Sequence, residues 1–183
     1  MPLFNRPDGT LLRGQSPVRT IMPFLMKGRN ESIILHDMVL DVSRALPWLQ
    51  HYNADKTEGE RATLFHLFLW ACARALHDRP GLNRFVSGGR IYQRHDVSIA
   101  FAAKRGMNDD APFVTVKLVF PKDEPFDACV QRIRAFIREG RSSKTRTVDR
   151  EVNLATRLPG PMLRAGVGLL RKLDGINLMP KRM

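Results

Sequence analysis

Five histidines are the side chains of this sequence best suited to take a proton near neutral pH. They are His36, His51, His66, His77 and His95. His51 and Asp55 have a His-x-x-x-Asp spacing, in which the imidazole can deprotonate a thiol or hydroxyl while the carboxylate supports the local structure. The pair falls in a polar stretch in the first third of the chain, so we expect no catalytic role for it.

The remaining histidines fit structural roles. His66 falls in an apolar helical pattern, where we expect a core histidine bonded to a backbone carbonyl. His36 and Asp37 are adjacent within a predicted strand, so their side chains point to opposite faces of the sheet. The same applies to His95 and Asp96. The sequence therefore predicts no histidine-carboxylate pair at these positions.

The two cysteines, Cys72 and Cys129, lie within helical patterns and far apart in the chain. This spacing indicates neither a disulfide framework nor a metal cluster, so we expect both to be small core residues. The sequence also contains no Cys-x-x-Cys motif, Gly-rich phosphate loop or zinc-binding helix signature. We therefore expect no metal.

The net charge of +12 is concentrated near the C-terminus, since residues 132–183 carry +9 of it. Such a field attracts anions: nucleic acid, an anionic membrane, or the phosphates of a nucleotide cofactor. Charge alone does not choose among them. The chain has no run of eighteen apolar residues and no signal-peptide pattern, so we expect it to be cytoplasmic.

Periodicity predicts five helices and five strands. Ser16 and Pro17 are predicted to be the N-cap and the first residue of a helix. Thr63 to His77 is predicted to form a helix that is buried on several sides. The other helices are predicted to open at Asp41, Pro125 and Leu158. Strands are predicted for 32–40, 85–86, 90–92, 96–103 and 112–120, with a tight hairpin at Ser87-Gly88-Gly89.

These elements suggest an extended lead-in over residues 1–15, a layered α/β core over 16–140, and a basic loop and amphipathic helix over 141–183. Four segments of the core share the order and spacing of one known family. They are Pro17–Met22, the helix Phe65–Leu76 ending at Pro80 with Asn83, Asp96–Ala100, and the amphipathic helix from Phe126. The core resembles the N-terminal portion of the catalytic domain of dihydrolipoamide acyltransferases, the core subunits of 2-oxoacid dehydrogenase complexes, and more distantly chloramphenicol acetyltransferase.

The resemblance implies a two-layer α/β sandwich with a mixed sheet packed by helices, usually a trimer with active sites between subunits. It also implies transfer of an acyl group from a thioester, with coenzyme A as acyl-CoA and no metal. The chain looks most like free-standing bacterial relatives, since nothing like a lipoyl lysine hairpin precedes Ser16. In the family, a C-terminal His-x-x-x-Asp-Gly motif supplies the base. Neither it nor the strand before it can be matched here, so we expect the sandwich to be incomplete at its C-terminus.

Several residues take roles from the resemblance. Arg19 matches a first-helix arginine that pairs with the aspartate of that motif and supports the active site. Asn83 and Ser98 match positions near the substrate channel, although a turn asparagine and a strand serine need no such role. We expect three basic residues of the C-terminal region to bind the phosphates of coenzyme A. These are Arg141, Lys144 and Arg146.

A second hypothesis is a non-catalytic assembly or binding module that docks on an anionic surface through the basic C-terminal segment. There, Leu163, Val167, Leu170 and Leu173 alternate with Arg164, Arg171 and Lys172. That pattern suits a membrane-surface helix and equally a helix packed on its own domain. Nucleic acid is the weakest partner, because aromatics form 8% of the chain and lie mostly in apolar patterns.

Overall fold

The structure, a computed structural model, describes residues 6–26, 28–104, 113–142 and 159–176. The chain forms two compact units. The first contains residues Met1–Leu35, Pro80–His95 and Thr145–Met183, and the second contains His36–Arg79 and Asp96–Lys144. Helices and strands occur together in each unit, which confirms the predicted α/β composition. None of the helices in the described ranges has the length and apolar character needed to cross a bilayer.

The first unit is built on a small antiparallel sheet of order β1-β3-β2. Its strands are β1 (Gly9–Leu11), β2 (Arg84–Ser87) and β3 (Arg90–Arg94). Strands β2 and β3 form the predicted hairpin, with Phe85 opposite Tyr92 and their rings stacked at 5.4 Å between centroids. The turn requires Gly88 and Gly89, whose φ angles of 55° and 74° side chains rarely adopt.

The helices in the described part of this unit are α1 (Pro17–Leu25), α2 (Arg29–Ser32) and, near the C-terminus, α6 (Gly160–Gly175). The predicted start of α1 is confirmed, since the Ser16 hydroxyl accepts a hydrogen bond from the Arg19 N–H at 3.4 Å. Pro23 lies inside α1, which ends soon after it. The predicted C-terminal amphipathic helix is also confirmed by α6.

The strand predicted over residues 32–40 is wrong. Ser32 ends α2, and the residues from Ile33 to Val42 have no regular secondary structure. A strand is stable only when a neighbouring strand pairs its backbone, and no described strand pairs with this segment. Its apolar residues are correspondingly exposed, with Ile34 at 93% and Val39 at 100%. Apolar composition alone therefore misled the prediction.

The described residues of the second unit form three helices and a two-stranded antiparallel ribbon. The helices are α3 (Ala45–Tyr52), α4 (Leu64–Asp78) and α5 (Phe126–Ser142), and the strands are β4 (Ser98–Lys104) and β5 (Phe113–Val119). Ser98 pairs with Val119 at one end of the ribbon and Lys104 with Phe113 at the other. These elements match the predicted helices and strands, with α3 beginning at Ala45 rather than at Asp41.

The core of the second unit lies where α4 and α5 pack on the ribbon. Ile133 of α5 and Val116 of β5 are almost completely buried, and Leu69 and Ala73 face them from α4. The sequence of α4 is apolar on all sides and predicts burial on several of them, but the side opposite the core is exposed. Phe68 on this helix, for example, is 55% exposed. Helix α4 is therefore amphipathic in its packing although not in its composition.

The predicted mixed sheet is not found among the described strands. All their pairings are antiparallel, and they form one three-stranded sheet and one two-stranded ribbon. Two of the pairings, β2 with β3 and β4 with β5, join consecutive strands with short connections, which suits antiparallel pairing, whereas β1 pairs with β3 across a long stretch of chain. The predicted boundaries at residues 15 and 140 stay a prediction.

Candidate functional site

The first unit contains an open groove of about 1000 Å³ between helices α1 and α2 on one side and the β2-β3 hairpin on the other. This volume is at the upper end for small-molecule sites. Most of the described lining is apolar, and its charged groups are two arginines. The lining residues are Arg19, Met22, Pro23, Met26, Gly28, Ser32, Arg84, Phe85, Val86, Gly88, Gly89 and Ile91.

The groove owes its shape to the close approach of α1 and the hairpin turn. A Cβ atom at Gly89 would lie 2.9 Å from the ring of Phe24, so a side chain at this position of the turn would displace that ring. Pro17 and the Ser16 cap fix where α1 begins. Local sequence thus positions both walls.

Arg19 lies in the first turns of α1 and is exposed at the groove. In the described part of the chain, no carboxylate forms an ion pair with its guanidinium. A cation on an apolar wall attracts an anionic group while its surroundings favour a hydrocarbon. Arg19, which the resemblance assigns to an active site, therefore lines the groove. Its predicted role in supporting the active site stays a prediction.

Arg84 is the second groove cation, and the sequence patterns did not identify it. Its Nε donates to Gln93 Oε1 at 3.2 Å, and Gln93 Nε2 donates to the carbonyls of Pro80 and Asn83 at 2.9 and 3.1 Å. The Gln93 amide therefore holds the Arg84 guanidinium from the adjacent strand. The available signal was the pairing of Arg84 with Gln93 that a hairpin around Gly88-Gly89 implies.

Asn83 takes part in this arrangement through its backbone. Its N–H donates to the Pro80 carbonyl at 3.0 Å, and its own carbonyl accepts from the N–H of Arg94 at 3.1 Å as well as from Gln93. These bonds close the turn that leads into β2. A structural role thus accounts for Asn83, and a role in the substrate channel stays a prediction.

The other predicted site residues belong to the second unit or lie outside the described residues. Ser98 opens β4 and is partly buried opposite Val119. Arg141 is in the last turn of α5, and its side chain is not described. Lys144 and Arg146 lie outside the described residues. Their predicted roles in binding the substrate stay predictions.

Histidine geometry gives structural roles rather than catalytic ones. His77 Nε2 lies 2.8 Å from the Phe120 carbonyl, and His95 Nε2 lies 2.9 Å from the Thr10 hydroxyl. His51 lies near the end of α3 with an exposed side chain, and the side chain of Asp55 is exposed as well. Within the described ranges no histidine is hydrogen-bonded or ion-paired to a carboxylate. The chain therefore shows no activated imidazole in the part that is described.

His66 is a buried histidine, as predicted, but its partner differs from the prediction. Its Nδ1 accepts from the Thr63 N–H at 3.1 Å and lies 2.7 Å from the Thr63 hydroxyl, which makes a capping box at the start of α4. Burial lowers the pKa of His66, and the positive charge of Arg134 lowers it further. The ring is therefore neutral at pH 7 and helps to fix the helix start.

The cysteines and carboxylates give no sign of a metal site. Cys129 is fully buried, and Cys72 is partly buried. Across the residues that the structure describes, no three metal-binding side chains come together. The prediction of a core role is thus confirmed for Cys129 and holds in part for Cys72.

Comparison with known proteins supports one family. No curated protein and no solved structure gives a significant match to the chain. A family model matches residues 19–108, and its description is "2-oxoacid dehydrogenases acyltransferase (catalytic domain)". The matched segment begins at Arg19 and includes the groove hairpin, α4 and β4. The resemblance predicted from the sequence is therefore confirmed: residues 19–108 are similar to the catalytic domain of the 2-oxoacid dehydrogenase acyltransferases.

Proposed function

We propose that this chain is a CoA-dependent acyltransferase-type domain and that these 183 residues do not themselves supply the catalytic base. The family match over residues 19–108 carries the proposal, because that family transfers acyl groups held as thioesters. The groove supports it, since the matched segment supplies the lining residues.

The groove chemistry suits an acyl thioester. Met22, Met26 and Ile91 offer an apolar surface for a hydrocarbon chain, and Arg19 and Arg84 offer positive charge for a phosphate or a carbonyl oxygen. In acyl transfer, a deprotonated thiol attacks the thioester carbonyl, and cationic or N–H donors stabilise the oxyanion that forms. The two guanidiniums are placed to orient the substrate. The imidazole that activates the thiol would come from another polypeptide segment.

The sequence and the described histidines support the proposal that the chain lacks the catalytic base. His51 and Asp55 have the right spacing, but Lys56 stands where the family has glycine, and the side chains of His51 and Asp55 are exposed in the second unit. His66, His77 and His95 are bound to backbone or hydroxyl groups. Among the described histidines, none thus has a carboxylate partner.

Fold and assembly are further parts of the proposal. We place the chain in the two-layer sandwich fold of the chloramphenicol acetyltransferase type, in the cytoplasm, and as part of a trimer. The family match over residues 19–108 supports this architecture. Light scattering after size exclusion would measure the mass, and a strict monomer at high concentration would contradict the trimer.

A binding experiment tests the groove. Titration calorimetry with acetyl-CoA should show binding to the wild-type chain, and Arg19→Gln and Arg84→Gln should each weaken it about tenfold through the loss of one charged hydrogen bond. Arg44→Gln removes an exposed charge at the start of α3, outside the groove, and should leave affinity unchanged.

The predicted phosphate-binding residues need their own variant. Arg141→Gln, Lys144→Gln and Arg146→Gln combined should weaken binding of acetyl-CoA more than binding of a short acyl thioester that lacks the nucleotide. No measurable binding to wild type, or equal affinity of wild type and both groove variants, would contradict the proposed site.

A further inference from the structure

Helix α6 presents an exposed apolar surface that nothing in the proposed acyl transfer uses. The apolar residues of this surface have between 37% and 60% of their area exposed, which is more than a helix packed on a domain leaves open along its apolar face. They are Met162, Leu163, Val167, Leu169 and Leu170. Every residue from Gly160 to Lys172 is exposed, so no described part of the chain covers the helix.

The apolar and basic residues of α6 lie on different sides. Leu163, Val167 and Leu170 recur at spacings of four and three, which places them along one face of a helix. Arg164 and Arg171 are seven residues apart and share another face. Lys172 lies near them in the last turn, where its positive charge interacts favourably with the negative end of the helix dipole. The helix is amphipathic and basic.

The helix is tethered at its C-terminal end. Arg6 Nη2 forms an ion pair with Asp174 Oδ1 at 2.9 Å, and Arg6 Nη1 donates to the Asp174 carbonyl at 3.1 Å and to the Ser87 hydroxyl at 2.7 Å. Gly88 and Gly175 approach so closely that a Cβ atom at Gly88 would clash with the Gly175 carbonyl. This anchorage uses the single acidic residue of α6 and leaves its basic residues available.

The charge and shape of α6 fit an anionic membrane surface. A helix lying in the plane of the membrane puts its apolar side chains among the acyl chains and its Arg and Lys among the headgroup phosphates. Nucleic acid would use the basic face but leave the leucines in water. A second copy would cover the leucines but bring two basic helices together without the acidic partners that an ion-paired interface needs.

We propose that α6 is a membrane-surface anchor that binds anionic lipid, with its leucines in the acyl boundary and Arg164, Arg171 and Lys172 at the phosphates. The anchor does not depend on acyl transfer, because none of its residues lines the groove. It would hold the proposed acyltransferase domain at a surface rich in anionic lipid.

Vesicle sedimentation of the full chain without any acyl-CoA tests the anchor. Wild type should bind phosphatidylcholine vesicles containing phosphatidylglycerol and bind pure phosphatidylcholine at least about tenfold more weakly. Arg164→Gln, Arg171→Gln and Lys172→Gln combined should weaken binding about a hundredfold, at about fivefold for each basic residue. Leu163→Gln with Leu170→Gln should weaken it at least about tenfold.

Leu82→Gln is the matched control, since Leu82 is 71% exposed and outside α6, and it should bind like wild type. Circular dichroism of each variant confirms that it is folded. Absence of binding to anionic vesicles at low salt would overturn the proposal, as would equal binding by the Leu163/Leu170 variant and the Leu82 control. So would binding of duplex DNA without vesicle binding, or an oligomer that the leucine variant dissociates without any lipid binding.

Discussion

At the level of single residues, His66 couples the stability of the second unit to pH. Burial and the nearby Arg134 charge lower its pKa in the folded chain, while the unfolded chain keeps a value of about 6.5. The unfolded state therefore binds more protons once the pH falls below about 6.5, and the stability present above that pH is lost progressively. This loss is at most about 1.4 kcal/mol per pH unit.

The variant His66→Gln isolates this contribution. Glutamine is a normal capping-box residue whose carbonyl oxygen can accept from the Thr63 N–H, and it does not titrate. Urea unfolding at about pH 7.5, 6.5 and 5.5 should therefore show a smaller acid loss for His66→Gln than for wild type. His51→Gln, at an exposed site, should keep the wild-type slope. Identical slopes in all three proteins would count against the assignment.

Cys129 gives a second prediction at this scale. Burial raises its pKa to about 11, and the negative charge of Glu124 adds to the effect, so little thiolate exists near pH 8. In the variant Cys72→Ser, the remaining thiol should react with Ellman's reagent about a hundredfold more slowly in the folded protein than in urea. A rate in the folded protein close to that in urea would show that Cys129 is accessible.

Residues predicted from the sequence divide according to whether their role is local. The Ser16 cap and the core position of His66 follow from neighbours in the chain, whereas the active-site role of Arg19 comes from the family resemblance and stays a prediction. The hydrogen bond from Arg84 to Gln93 joins residues on different strands, so it can be anticipated only after the register of the hairpin has been worked out from its turn. The ion pair of Arg6 with Asp174 spans nearly the whole chain, and no local signal reports it.

At the level of elements, the hairpin turn sets the shape of the groove. Gly89 has a positive φ, and a Cβ there would press on the Phe24 ring. Gly89→Ala should therefore lower the free energy of unfolding by about 1–3 kcal/mol, combining the strain of a left-handed backbone with the displaced ring. Thermal or urea unfolding followed by circular dichroism measures the change.

Gly59 provides the control for this prediction. A Cβ atom at Gly59 would meet open space, and the φ angle of this residue is not in the left-handed region. Gly59→Ala should therefore change stability by less than about 0.5 kcal/mol. Equal stability of the Gly89 and Gly59 variants would mean that the turn tolerates a side chain and does not limit the groove.

Elements with strong periodic signals were predictable, whereas the segment after Ser32 was not. The signals at α1, α4, α5 and the hairpin combine a cap or turn residue with a regular pattern. The run from Ile33 to Leu40 has apolar composition without a cap, a turn or a described partner strand, and it is irregular in the structure. Apolar composition predicts that a segment is buried, whereas a strand forms only where its backbone pairs with another strand.

At the level of the whole molecule, the two units expose more apolar surface than a self-contained domain needs. Phe65 and Phe68 of α4 and Ile21 of α1 are among the large side chains left open. Large exposed apolar surfaces in soluble proteins are commonly covered by another polypeptide or a membrane. This agrees with α6 as the proposed membrane anchor. The type of chemistry followed from the matched family segment rather than from any visible catalytic pair.

Turnover of acyl-CoA by the purified chain tests whether these 183 residues supply a catalytic base. Formation of free coenzyme A from acetyl-CoA, with dihydrolipoamide or another small thiol as acceptor, can be followed by chromatography over hours against a heat-denatured control. We expect acetyl-CoA to bind but no release above that control, because no described histidine is paired with a carboxylate. Sustained turnover by the wild-type chain, abolished by changing one of its five histidines, would contradict the account.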